Sequence, residues 1–403
     1  MLRFRITYTL IEKVDLTPMT HFSRRTYIKQ ITLAALGGAV SGLLRPLSAG
    51  AGDALPTPLS EQERRALSAL ANTFLEQFKA PGLSVAIAKS GNLVYQEGFG
   101  FSDLEKREKL TPRHAFRIAS VSKPITSVGI FSLVEQGKLQ LQDRVFGPKG
   151  LLETDYGTPP SDTVNAISVH HLLTHTCGGW SNAKRDPMFL NPKMNHRELI
   201  AWTLKNIPLE HEPGTHYDYS NFGYCLLGRI IERVSGMPYA EAVQKNVLTK
   251  CGVDSMRIAG NTLAERAEHE VVYYGQNKEN PYSMNIRRMD AHGGWMGTPT
   301  DLVNFALHVD GFDNTPDILR ADTLKTMTTP SRVHTHYACG WVVNQAPNWW
   351  HNGSIPGIMT ILVRTASGLC WTAFANTRST GISKGIDELM WKMVRAVPAL
   401  SDW

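Results

Sequence analysis

The chain has 403 residues, 42% hydrophobic and 19% charged, enough for one large core, since single cores seldom grow beyond ~250–300 residues. No Pro, Gly or Gln tract marks a disordered array. The net charge of +6 is concentrated in residues 1–51, where seven Lys or Arg face two acids, so the body is nearly neutral; without a basic block, there is no electrostatic case for nucleic acid.

The N-terminus carries Ser23-Arg24-Arg25-Thr26-Tyr27-Ile28-Lys29, an apolar stretch from Ile31 to Leu44, and the small-residue run Ser48-Ala49-Gly50-Ala51. Basic head, apolar middle and small-residue exit make a signal peptide. Its paired arginines resemble a twin-arginine address, which implies transient engagement of the twin-arginine export machinery and a periplasmic or secreted product. The apolar run is shorter than the ~20 residues of a spanning helix, so cleavage is expected near Ala51, with no stable membrane span in the mature form. Residues 1–18 precede a normal basic region, which makes Met19 an alternative start. The five cysteines (Cys177, Cys225, Cys251, Cys339, Cys370) have no C-x-x-C spacing, and their odd number leaves at least one free. Folding before export would protect them from oxidation.

After a Pro-containing linker, Leu67, Leu70, Ala71, Phe74, Leu75 and Phe78 recur at helical spacing, which predicts a helix over 60–78 with Ser60 as N-cap. Leu83 to Ala88 and Leu93 to Phe99 predict a hairpin across Lys89-Ser90-Gly91-Asn92. Residues 120–136 and Phe222–Val234 read as helices stopped by Gly137 and Gly236. Further on come a helix from Asp301 to Val309, strand-like runs at 337–344, 358–365 and 369–376, and a last helix from Lys384 to Val397. Strands at both ends with helices between predict an α/β (α+β) fold, one antiparallel sheet with an inserted helical lobe. The expected domains are the signal segment 1–51 and one catalytic domain 52–403, its sheet lobe about 60–115 and 290–403 and its helical lobe about 120–285.

Three short motifs could carry chemistry. Ser120-Val121-Ser122-Lys123 stands at the predicted helix start, where positions i and i+3 share a face, so the Lys123 amine can reach the Ser120 hydroxyl. A serine needs such a base, and a desolvated lysine can serve. The helix start offers a backbone N–H and positive dipole for an oxyanion. S-x-x-K alone occurs about once or twice by chance in a chain this long, and a second copy, Ser181-Asn182-Ala183-Lys184, reads as a solvated loop. Tyr219-Ser220-Asn221 leads into a helix. It is either a surface tyrosine before an Asn221 N-cap, or a phenol proton shuttle with an amide substrate ligand. In His351-Asn352-Gly353, Gly353 would let an acyl substrate approach a strand edge, and the Ser354 N–H could be a second oxyanion donor.

The order S-x-x-K, Y-x-N, H-x-G resembles the class C β-lactamase family, which also includes D,D-peptidases and esterases. Phe116 to Lys123, His171-Leu172-Leu173-Thr174-His175-Thr176, Pro213 to Gly236 and Gly293-Gly294 to Asp301-Leu302 are similar to that family, and the likeness spans about residues 60–376. It implies a β-lactamase/transpeptidase-like fold and an acyl-enzyme on Ser120, with Lys123 and Tyr219 sharing the proton work. It further implies Asn221 on the substrate amide, His351 and Gly353 on the opposite wall, and the N–H groups of Ser120 and Ser354 around the oxyanion.

His351 stands where dedicated class C β-lactamases have lysine, and histidine is only partly charged near neutral pH. That favours a D,D-peptidase, D-amino-acid amidase or esterase over a dedicated β-lactamase. The expected substrate is a small molecule or peptide carrying an amide, ester or β-lactam, with no cofactor. His171 and His175 are four apart but lack the glutamate of a zinc-hydrolase helix, and no G-x-S-x-G elbow occurs. A rival of another class is a penicillin- or peptidoglycan-binding sensor that acylates without turnover.

Overall fold

The computed structural model describes residues 59–153, 155–157 and 161–401; the expected signal segment, with Arg24, Arg25 and Ala51, lies outside them. The first helix, Glu61–Phe78, begins where its chemistry dictates: Ser60 and Glu63 form a reciprocal capping box. Its stripe of Leu67, Ala71 and Phe74 is buried against the sheet together with Ile386, Met390 and Met393 of the helix Ile382–Arg395. Complete burial of a side chain such as Phe74 is worth about 1.5–3 kcal/mol.

Seven antiparallel strands form the main sheet in the order Glu108–Lys109, Asn92–Asp103, Gly82–Lys89, Leu369–Ala375, Ile358–Arg364, Trp349–Ile355, Val342–Val343. The chain ends meet in its middle, with Leu83 opposite Ala375 and Ile87 opposite Trp371. This is the mixed fold expected, and both sheet faces are covered, so the central strands read as continuous apolar runs. The run expected over 337–344 is a strand only at Val342–Val343, and the longer strand beyond it is Trp349–Ile355.

Against the other face of the sheet packs the helix Pro299–Leu307, and the helices Ser122–Glu135 and Asn221–Ser235 pack on each other within the same apolar cluster. Residues Ser122 through Leu133 are buried on every side, so this helix is a central post and not an amphipathic surface helix. Its hydroxyls are satisfied inside: Thr126 Oγ1 donates to the Ala291 carbonyl at 2.6 Å and Ser127 Oγ to that of Cys339 at 2.7 Å. Among the described residues, no helix is long and apolar enough to cross a membrane. All five cysteines are free and buried.

Candidate active site

Ser120 stands in a 3-10 turn, Ala119–Val121, that runs directly into the α-helix at Ser122; the helix expected from residue 120 begins one short turn later. Ala119 is buried with φ of 48°, a left-handed conformation that costs a non-glycine residue about 1–2 kcal/mol. The neighbouring bonds hold it there. Ile118 donates its N–H to Trp295 O at 2.9 Å and accepts from Thr360 Oγ1 at 2.9 Å. Ser122 Oγ accepts from Trp295 N, so the second serine of the motif is structural and Ser120, half-exposed, faces outward.

Lys123 is fully buried. Its Nζ lies 3.0 Å from Ser120 Oγ, 2.8 Å from Asn221 Oδ1 and 3.1 Å from the His292 carbonyl. Burial drives its pKa well below the ordinary 10.5, with the Asp186 carboxylate opposing that shift. A neutral amine keeps two N–H donors and one lone pair. Asn221 Oδ1 and His292 O can only accept, so the lone pair is left for the Ser120 hydroxyl.

Tyr219 lies beside this pair, with Lys123 Nζ 4.7 Å from the centre of its ring. Burial pushes the phenol above its usual range, with the nearby Ser120 hydroxyl opposing that shift, so it is a neutral O–H at physiological pH. Asn221 is the first residue of its helix, and Ser220 is the cap, accepting from Gly223 N at 3.0 Å. The Asn221 amide is engaged at both ends, receiving from Lys123 and donating to Asp186 Oδ2 at 2.8 Å.

On the opposite wall His351 is buried, and its pKa is pushed down to about 3, by burial first and by Lys123 second. The partial charge expected near neutral pH is therefore absent. Nδ1 donates to the Asn352 carbonyl at 2.7 Å and Nε2 accepts from Tyr337 Oη at 3.1 Å, which fixes one neutral tautomer. The His351 ring stands 6.2 Å from that of Tyr219. Ser354, half-buried, lies beyond on the same strand, opposite Met359.

Gly353 makes a close contact within the protein itself. A Cβ there would stand 2.2 Å from both Ile118 O and Thr360 Oγ1, so the close approach is made by the protein's own nucleophile turn. Gly353→Ala should therefore cost about 1–3 kcal/mol and displace Ile118 and Ala119. In denaturant titrations with parallel ester assays, stability and activity should fall together; an unchanged pair would contradict this packing role.

Several site neighbours escaped the sequence reading. Asp186 is buried, its carboxyl pushed up to about 6 by burial, and it anchors Asn221. Asn182, in the short helix Asn182–Arg185 expected as a solvated loop, donates N–H to Tyr219 O and accepts from Asn221 N, both at 2.9 Å. Lys184 points outward to Glu210. His175 is buried with φ of 57°, its Nδ1 accepting from Ser220 N at 3.1 Å and its ring 4.2 Å from that of Tyr219. The H-L-L-T-H-T segment was a signal for His175; nothing local marks Asp186 or Asn182.

Comparisons with known proteins agree with this architecture. A family model described as Beta-lactamase matches residues 67–391. Penicillin-binding protein 4* of Bacillus subtilis (strain 168) is 27% identical over 336 residues, which cover 76% of this chain and 70% of that protein. The D-amino acid amidase from Ochrobactrum anthropi SV3, complexed with L-phenylalanine amide, superposes with a TM-score of 0.68 at 20% identity, over 83% of this chain and 98% of that one. A β-lactamase/D-alanine carboxypeptidase from Pseudomonas syringae gives 0.68 at 19% identity, over 83% and 99%.

Proposed function

The chain belongs to the Beta-lactamase family of serine hydrolases, and from that premise we propose that it hydrolyses amides and esters of D-amino acids through an acyl-enzyme on Ser120. The observation that carries the chemistry is the Lys123 amine, desolvated and 3.0 Å from Ser120 Oγ. Lys123 takes the hydroxyl proton as Ser120 Oγ bonds to the substrate carbonyl carbon. Backbone N–H groups of Ser120 and Ser354 hold the oxyanion. As the tetrahedral intermediate collapses, the proton passes from Lys123 through the Tyr219 hydroxyl to the leaving amine or alcohol, and the carbon–heteroatom bond breaks. Water then attacks the acyl-enzyme, giving its proton to the same pair and releasing the acid and free Ser120.

The pKa directions divide the labour between the two. Burial lowers the lysine toward a free base and raises the phenol away from phenolate, so Lys123 is the base and Tyr219 the carrier. Asn221 stands ready to share its amide with the substrate, steadied by Asp186.

Neutral His351 supports the substrate assignment. A β-lactam or a C-terminal peptide brings a free carboxylate, and this wall offers it no imidazolium. An amide or ester of a D-amino acid lacks that charge, and the D-amino acid amidase shares the fold. A D,D-peptidase is the second reading, supported by the similarity to penicillin-binding protein 4*. A panel of D- and L-amino-acid amides, short esters, a D-alanyl-D-alanine peptide and a penicillin tests the choice. The D-amides and esters should have kcat/KM values at least about 10-fold above the others, and faster turnover of penicillin would overturn the assignment.

We further propose export through the twin-arginine route, supported by Arg24-Arg25 before the apolar stretch and by five thiols that a prior fold would shelter. Changing both arginines to lysine should retain the protein in the cytoplasmic fraction; undiminished periplasmic protein would refute the route.

A further inference from the structure

The segment that leads into Tyr219 carries a second group of chemically able side chains. Pro213-Gly214 forms a tight turn: Gly214 has φ of 83° and the Thr215 N–H donates to Glu212 O at 3.2 Å, the arrangement of a type II turn with Pro and Gly at its centre. The turn reverses the chain and sets His211 beside His216, their ring centres 4.2 Å apart and their planes inclined by 31°. Asp218 follows one residue after Tyr217. One ligand atom from each of His211, His216 and Asp218 lies within 4.8 Å of the other two.

The backbone beneath this group is tied down at three places. His211 N donates to Gly178 O at 2.9 Å, Gly214 N to Thr176 O at 2.7 Å and Asp218 N to His175 O at 2.8 Å. The three side chains thus project from one frame, while His216 is exposed and can rotate into place.

We propose that His211, His216 and Asp218 bind a divalent transition-metal ion of the zinc class, which clamps the two arms of the turn that delivers Tyr219. Two imidazoles and a carboxylate are a common zinc set, and a tetrahedral site needs its ligand atoms about 3.3–3.5 Å apart, given bonds of ~2.0–2.2 Å. Side-chain rotation of all three residues would bring the ligand atoms from within 4.8 Å of one another to that distance. Three protein ligands leave the fourth position to water. Among the described residues this group is distinct from His171 and His175: His171 Nδ1 accepts from Ser168 N, and His175 Nδ1 from Ser220 N. Buried thiols do not compete for the ion at the surface.

The test is calorimetric titration of the chelator-treated full chain with zinc chloride, beside His216→Ala, Asp218→Asn and the control His336→Ala. Wild type and the His336 variant should bind one equivalent saturably, and the other two variants should bind at least about 10–100-fold more weakly. Zinc should raise the wild-type Tm by a few degrees at saturating concentration and leave that of His216→Ala unchanged. His216 is exposed, so its variant folds, and unaltered ester hydrolysis without metal would verify that. Absence of saturable binding, or binding that survives both His216→Ala and Asp218→Asn, would overturn the proposal.

Discussion

Ser120→Ala should lower kcat/KM on a p-nitrophenyl ester by roughly 10⁴–10⁶-fold, the largest effect of any single substitution in this molecule. The hydroxyl forms the bond to the substrate carbonyl, and nothing beside it can replace it: the Lys123 amine is held by Asn221 and His292 as well as by Ser120. The variant should fold. Ser120 is half-exposed, its hydroxyl is hydrogen-bonded to Lys123, and the strained backbone belongs to Ala119. Stability should change by about 1 kcal/mol or less. Steady-state kinetics with a parallel denaturant titration separate loss of chemistry from loss of fold, and a variant retaining more than a tenth of the activity would remove Ser120 from the reaction.

Lys123→Met should cost about 10²–10⁴-fold, the usual contribution of a general base. The wild-type pH profile supplies the sign. The folded pKa of Lys123 is depressed, so below it the amine is protonated and the base is lost. Activity should rise as pH increases through that value, on a limb lying well below the ordinary lysine range. In Lys123→Met this limb should vanish together with the rate. His351, held down to about 3 and bonded at both nitrogens, contributes no limb between pH 5 and 8. A profile rising only near pH 10 would mean that Lys123 remains protonated and that the base assignment is wrong.

These effects depend on a frame that local sequence revealed unevenly. The first helix was legible because Ser60 is a good N-cap and its apolar positions keep one period, and the structure has that helix at Glu61–Phe78, with Glu63 completing the capping box. Strands at the two ends pointed to a sheet assembled from the termini, and Gly82–Lys89 does pair with Leu369–Ala375. The strand Trp349–Ile355 was only half visible, because Asn352, Gly353 and Ser354 have weak strand preference and the strand forms by pairing with Ile358–Arg364. The protonation of His351 was out of reach for a related reason: burial decides it, and burial comes from Tyr337 and Tyr219 packing in from other segments. Asp186 meets Asn221 across 35 residues, a contact that no periodicity encodes. Ser122 and Gly353 each stood in a recognisable motif, yet they hold the turn in place through Trp295, Ile118 and Thr360.

The central claim is a covalent bond between substrate and Ser120. Intact-mass spectrometry of the protein quenched during turnover of a slow D-amino-acid ester, followed by peptide mapping, tests it most directly. The account predicts one acyl group per chain, carried on the peptide containing Ser120, absent from Ser120→Ala and lost as product forms. Turnover with no adduct on that peptide, or an adduct that persists in Ser120→Ala, would contradict it.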